Sequence, residues 1–351
     1  YLLPLNMVYR SRIRFLGARL GLIRRSSEGI VLANRGTKGC YYSVGSGIDW
    51  SDQGKMKIRF GFTCRGSGDL PIEEFSQLCI DLERLNFDSV WLPETMLTGS
   101  FDPLVALTHA AACTEKLKIG SHMILPGRAP IRLARELAQL DRLSQGRLLI
   151  IAVIGLPDSA EVAAQGVIRS DRGQMMDEMV PLLRRLWAGE TVDHSGTFYE
   201  VTEASITPLP VQQPLELWFG GSLPSALRRV GRIGDGYIPG LSTPEEGAEK
   251  KLQVETAAKE FNRVIDPEHF GVNLTYSRGP LSSDARESLL RRRPDIDPEQ
   301  LVPTSAEGLQ EIIDAWIDAG YSKFLLRPVE PPGNWSEELE ELGSEVLGLQ
   351  S

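Results

Sequence analysis

Residues 128–147, RAPIRLARELAQLDRLSQGR, constrain the fold more than any other stretch of the chain. Ile131, Leu133, Ala134, Leu137, Leu140 and Leu143 recur near helical spacing, and Pro130 sits in a first turn, where its missing N–H costs nothing. Arg132, Arg135, Glu136, Asp141 and Arg142 fill the polar side, and Gly146 supplies a stop. The run LLIIAV follows, apolar throughout and of strand length. An amphipathic helix handing over to a strand with no polar face is half of a β/α repeat, because strands buried on both sides occur where helices cover a parallel sheet.

The same alternation extends from Met56 onward. KIRFGF (57–62), DSVWL (88–92), KLKIGS (116–121), LLIIAV (148–153), PLELWFG (214–220), GYIP (236–239), FGVNLTY (270–276) and KFLLRP (323–328) read as strands. Amphipathic or capped helical segments separate them; Asp102 with Pro103, and Thr243 with Pro244, mark two helix starts. Residues 155–170 have no strong period, 191–201 read as a short hairpin, and 278–303 form a polar stretch rich in Arg and Pro. The pattern predicts an α/β fold, a TIM (β/α)8 barrel with insertions after strands four and seven. A doubly wound sheet would carry a phosphate-binding glycine motif after its first strand, and TCRGSGDL reads instead as a loop.

The chain divides into a 1–55 extension and a 56–351 barrel domain. The first 55 residues hold nine Lys/Arg against three Asp/Glu, while the whole chain carries a formal net charge of -9. Two readings of the extension compete: a basic targeting or membrane-surface helix, and upstream sequence joined to a protein whose own start is Met56. The second is preferred, because KMKIRFGF reads as a natural first strand. The acidic remainder argues against a nucleic-acid surface, and no apolar run reaches the roughly 18 residues of a membrane span. Cys40, Cys64, Cys79 and Cys113 show no Cys-x-x-Cys pair or zinc spacing, so no metal is expected, and reduced thiols point to the cytoplasm.

KLKIGSHMILPG, GRLLIIAVIG and PLELWFGGSLPSALRRVGRIGDGYIPG, in this order around the helix of 128–147, resemble strands three, four and five to six of the luciferase-like monooxygenase family. The Gly-Asp-Gly strand, the long helix after it and IDPEHFG (265–271) are most similar to the branch that uses the deazaflavin coenzyme F420. The resemblance implies hydride transfer between F420 and a small organic substrate, and a homodimer. FMN is the alternative cofactor, in a monooxygenase fed reduced flavin by a separate reductase.

Barrel chemistry belongs at the C-terminal ends of the strands. Gly220 and Gly221 end strand five and open onto a helix, whose free amides favour a phosphate, with Ser222 adding a hydroxyl. By resemblance, Ser121, His122 and Met123 support the cofactor ring on a bulge containing a non-proline cis peptide, placed at His122–Met123. Glu94 and His122 are the candidates for proton transfer, since Thr95 and Met96 stand where relatives carry histidines. Asp171 reads as an N-cap, and the resemblance implies that Arg172 contacts the cofactor phosphate. Relatives commonly show Gly-x-Gly-x-Gly in strand four; here those positions are Ile151, Val153 and Gly155, and only Gly155 is kept as a cofactor contact. Three outcomes stay open: a cofactor seated differently, one held weakly, or a non-catalytic barrel. Arg142 and Arg147 flank the turn into strand four and are assigned to stability at the N-terminal face.

Overall fold

The computed structural model describes residues 24–26, 29–31, 56–64, 70–97, 99, 101–156 and 158–351. The chain forms two compact units, Tyr1–Lys55 and Met56–Ser351. In the first, β1 (Arg24–Ser26) pairs antiparallel with β2 (Gly29–Val31). The rest of the sequence reading of 1–55 lies outside the described residues.

The second unit is an α/β barrel. Its parallel strands are β3 (Arg59–Thr63), β4 (Ser89–Pro93), β5 (Lys118–Ile124), β6 (Leu148–Val153), β9 (Trp218–Gly220), β10 (Gly236–Ile238), β11 (Gly271–Tyr276) and β12 (Lys323–Pro328). They form one eight-stranded sheet in the order β10-β9-β6-β5-β4-β3-β12-β11. A parallel bridge from Tyr237 to Phe270 brings the two edges together. β7 (Val192–Ser195) and β8 (Glu200–Ala204) make the expected hairpin outside the barrel.

Around the strands lie α1 (Ile72–Arg84), α2 (Pro103–Cys113), α3 (Pro130–Leu143), α4 (Ser159–Ala164), α5 (Arg172–Trp187), α6 (Pro224–Ile233), α7 (Pro244–Glu260), α8 (Ser283–Arg292), α9 (Pro298–Leu301), α10 (Ala306–Asp318) and α11 (Trp335–Val346). Asp102 caps α2 by accepting from Leu104 N and Val105 N, and Thr243 and Glu246 close a capping box on α7. Asp171 does not cap α5: its own backbone is helical, and its carboxylate accepts from Ser170 Oγ instead. α4 and α8 fall in the insertions, where no period was read. α8 buries none of its residues, so it has no apolar stripe to display. No described helix is long and apolar enough to cross a membrane.

Side chains alternate between the helix layer and the barrel interior. Trp91, Ile151, Trp218, Ile238 and Leu325 fill the interior. Two glycines make room for the indoles: a Cβ on Gly120 would stand 2.5 Å from Trp91, and one on Gly236 would stand 2.4 Å from Trp218. Gly236 belongs to the Gly-Asp-Gly motif, whose Asp235 accepts from Leu217 N at 2.9 Å and from Arg184 at 2.7 Å. That motif therefore joins strand to strand and does not reach the mouth.

The N-terminal end of the barrel is closed by charge. Asp88 is half-buried between Lys118 and the buried Lys323. Burial alone would raise its carboxyl, yet Lys323 and Lys118 hold it well below the usual carboxylate range. Arg147 makes five hydrogen bonds, to Ser144 O, Thr114 Oγ1, Leu117 O, Ala111 O and Thr114 O, which ties the end of α2 to the turn after α3. Arg142 makes one long contact, to Leu209 O at 3.4 Å.

Candidate active site

A cavity of about 370 Å³ opens at the C-terminal ends of the barrel strands, within the roughly 300–1,000 Å³ common for small-molecule sites. Its wall includes Thr63, Glu94, Thr95, His122, Val153, Gly155, Gly220, Gly221, Asn273, Thr275, Arg292 and Arg327, and Leu325 reaches it from the filled interior. Of the residues singled out in the sequence, Glu94, His122, Gly155, Gly220 and Gly221 meet here. Ser121, Met123, Arg172 and Ser222 do not line it.

Strand alternation explains the first two absences. His122 faces the interior, so Ser121 and Met123 face the helices; Met123 joins the main core, and the buried Ser121 Oγ has no partner. The expected cis bond at His122–Met123 is also corrected. Among the described residues the cis peptides are Thr207–Pro208 and Gln213–Pro214, and β5 pairs in unbroken register with β4 and β6 through His122. A regular ladder on both sides leaves no bulge.

Arg172 is buried and faces the chain itself. Its guanidinium donates to Ile154 O at 3.0 Å and Leu156 O at 2.8 Å, so it fixes the loop that carries Gly155. Ser222 is exposed beside the cavity, where its hydroxyl accepts from Gly240 N at 3.3 Å.

His122 is half-buried and stacks obliquely on Trp91, ring centroids 5.6 Å apart. Its Nε2 lies 3.1 Å from Asn273 Nδ2, a contact that crosses the barrel mouth from β5 to β11. If Asn273 donates, Nε2 accepts and the ring proton sits on Nδ1, which is buried without a partner. Burial pushes the imidazole down to about 4, so the ring is neutral near pH 7.

Glu94 is more committed. One carboxylate oxygen accepts from Ile124 N at 2.7 Å and the other pairs with Arg128, while Glu94 N donates to His122 O at 2.9 Å. Burial raises its carboxyl against the pull of Arg128. The Arg128 contact was not legible in the sequence, because it joins the end of one strand to the loop after the next.

Two strands along from β5, Leu223 is the N-cap of α6 and offers no side-chain cap; Pro224 has no N–H and Ala226 N donates to Leu223 O at 2.8 Å, which leaves Ser225 N of the first three positions for another acceptor. Gly221 has φ +143°, and a Cβ there would come within 2.8 Å of Ala226. Its carbonyl is held by Tyr237 Oη at 2.7 Å, which fixes the turn. Val153 packs over this turn, its Cγ1 standing 3.3 Å from where a Gly220 Cβ would lie, while Ile151 is sealed beneath in the interior. Of the two missing strand-four glycines, only the position of Val153 borders the cavity.

The other histidines are structural. His109 bonds Ser76 Oγ at 2.8 Å, His194 bonds Glu178 at 2.9 Å, and His269 bonds Asp235 O at 2.8 Å. Among the described residues no cluster could hold a metal.

The barrel carries its cavity at the C-terminal ends of its strands, where TIM-barrel chemistry is built, and the fold by itself does not say which chemistry that is. The model of the luciferase-like monooxygenase family matches residues 56–314, and the chain belongs to that family. It is an oxidoreductase by that membership. An F420-dependent secondary alcohol dehydrogenase, solved with an F420-acetone adduct, superposes with TM-score 0.71 at 20% identity, covering 84% of this chain and 100% of its own. The FMN-bound oxygenating constituent of 3,6-diketocamphane monooxygenase from Pseudomonas putida gives 0.68 at 17%, covering 83% and 98%. A monooxygenase from Streptomyces bottropensis gives 0.67 at 21%, covering 83% and 99%. At these identities the likeness shows the fold, and both cofactors occur among such neighbours.

Proposed function

We propose that this oxidoreductase binds the deazaflavin coenzyme F420 in the cavity and passes a hydride between it and a small organic substrate. The observation that carries this reading is the meeting of a glycine turn and a neutral histidine in one cavity. Gly220 and Gly221 lead to the N-terminus of α6, with Ser222 just beyond the wall, and neutral His122, whose buried Nδ1 has no partner, lines the same cavity two strands away. The donor set fits the group: backbone amides at a helix start suit a phosphate, and the largely apolar remainder of the wall suits a planar ring.

When bound, the cofactor would supply the two-electron chemistry. The chain's own part is positioning. A neutral imidazole that donates from Nδ1 can hold a proton against a developing charge on a substrate oxygen without first having to lose its own charge. Asn273 fixes that tautomer and Trp91 fixes the ring. Glu94 acts through Arg128 and the backbone of His122, as a positioning residue, and Arg172 holds the Gly155 loop. Gly155 would let the cofactor approach that loop closely.

F420 is preferred over FMN by the resemblance of the Gly-Asp-Gly motif and IDPEHFG, neither of which lines the cavity, although the strand that the motif opens reaches it at Ile238. FMN is therefore kept as the alternative, in a monooxygenase served by a separate reductase. Parallel equilibrium titrations of the purified protein with F420 and FMN separate the cases. Tight F420 binding without FMN binding supports the proposal, the reverse selects the monooxygenase, and binding of neither by a folded protein selects a barrel that has lost its cofactor site.

A homodimer belongs to the same reading, and Val105 and Leu143 are exposed apolar residues on α2 and α3 that it could cover. A monomer mass by sedimentation at micromolar concentration contradicts it. A reducing, cytoplasmic setting agrees with the free thiols of Cys64, Cys79 and Cys113; a disulfide among them in protein isolated without reductant would count against it.

A further inference from the structure

We infer that residues 158–168 are a strap across the mouth, latched by Glu161, and that the strap opens to let the cofactor in and out. This inference rests on the proposed function, since it concerns passage into the same cavity.

The strap runs from the end of β6 toward the loop after β4. At its root Arg172 donates to Ile154 O and Leu156 O, so the chain on either side of Gly155 is pinned to the start of α5. At its far edge the Glu161 carboxylate, on α4, accepts from Met96 N at 2.9 Å and Leu97 N at 3.1 Å. β5 lies between β6 and β4 in the sheet, so the strap passes over the end of the strand that carries His122. It touches the loop after that strand: a Cβ on Gly127 would stand 2.5 Å from Gln165 O. Gly155 and Leu156 at the root, and Thr95 immediately before the latched amides, line the cavity. The strap therefore ties together two stretches of the cavity wall that belong to different strands.

Three observations make it a moving part. The hold is narrow: among the described side chains of α4 only Glu161 and Val162 are buried, at 5% and 7% exposure. A segment with so little buried apolar surface opens locally while the barrel stays folded. The hold is also opposed. Gln165, 8% exposed, packs its amide against Gly155, and neither Nε2 nor Oε1 has a hydrogen-bond partner. Both atoms regain water when the strap lifts, so the stranded amide favours opening while the two bonds to Glu161 favour closure. Finally, Gly166 follows α4 at φ +68° with nothing within 4 Å of where its Cβ would lie, which leaves that end free to turn.

Glu161 does not line the cavity. It is a positioning residue that acts through the backbone of Met96 and Leu97, and weakening it changes how often the mouth opens while the cofactor's contacts stay in place.

The experiment pairs amide hydrogen exchange of the full chain, resolved at Met96 and Leu97, with stopped-flow association and dissociation of F420 and of FMN. Glu161→Gln keeps the side-chain volume but turns one acceptor oxygen into a donor. It should speed exchange of the Met96 and Leu97 amides by roughly threefold or more, with the barrel strands unchanged. It should also raise the association and dissociation rates of the cofactor together, each by roughly threefold or more, and shift Kd by less than about twofold. Gln165→Met, which keeps the volume and removes the stranded amide, should slow the exchange and both rates in a protein that melts no lower than wild type. A distorted site raises dissociation alone, so the paired change in rates separates a gate from a prop. Equal exchange at Met96 and Leu97 in all three proteins overturns the inference, as do cofactor rates in Glu161→Gln that match wild type or change in dissociation alone. If neither cofactor binds, the proposed function falls and exchange decides the strap by itself: protection lost in Glu161→Gln and gained in Gln165→Met retains it, and equal protection removes it.

Discussion

At the N-terminal end of the barrel Asp88 is met by two lysines, and all three nitrogens of Arg147 donate to the chain. At the C-terminal end His122 Nδ1 and Thr63 Oγ1 are buried without partners, and Gly221 holds a left-handed turn. Both ends are polar and both are made by the same eight strands. They differ in whether the polar groups answer one another. Where every donor has an acceptor, the chain has stabilised itself; where it leaves them open, a ligand can supply the missing half.

The comparison breaks first at the base. Asp88→Ala leaves Lys323 buried without its carboxylate and should cost about 3–5 kcal/mol, measured by denaturant unfolding. A loss below 1 kcal/mol would mean that the charged base does not hold the barrel together. Because Asp88 titrates below its ordinary range in the folded state, its contribution is complete above the unfolded value near 4 and is lost as pH falls further.

A smaller effect separates the mouth from the base by pH. His122 is held neutral down to about 4, against roughly 6.5 in the unfolded chain, so the unfolded state takes up the proton first as pH falls. Stability that depends on His122 is present above pH 6.5 and declines as pH falls toward 4. Wild type should lose stability over that interval, and His122→Gln should lose less. Identical profiles for the two proteins would place the titrating group elsewhere.

The base and the barrel order were legible in the sequence, and the mouth only in outline. Apolar strands and the stripe of α3 announce themselves by period, and Asp102 and Thr243 by capping chemistry. The strand ends were correctly placed, but their faces were not. Once His122 is assigned to the interior, a period of two puts Ser121 and Met123 outside, a deduction available from the sequence that the family resemblance displaced. Other features were beyond a linear reading. The His122–Asn273 contact exists only because the barrel closes, and Arg292 rides on a helix with no buried face. The family resemblance places Arg172 at the cofactor phosphate, whereas its neighbours in space are carbonyls.

The division between the two ends is tested most directly by titrating F420 onto wild type, Gly221→Val and Arg147→Ala while recording the melting temperature of each. Arg147→Ala is predicted to lose about 2–3 kcal/mol of stability and to melt several degrees lower with its F420 affinity unchanged. Gly221→Val should weaken F420 at least tenfold with the smaller thermal shift. An Arg147→Ala protein that melts like wild type yet no longer binds F420, or a Gly221→Val protein that binds F420 as wild type does, would contradict the account.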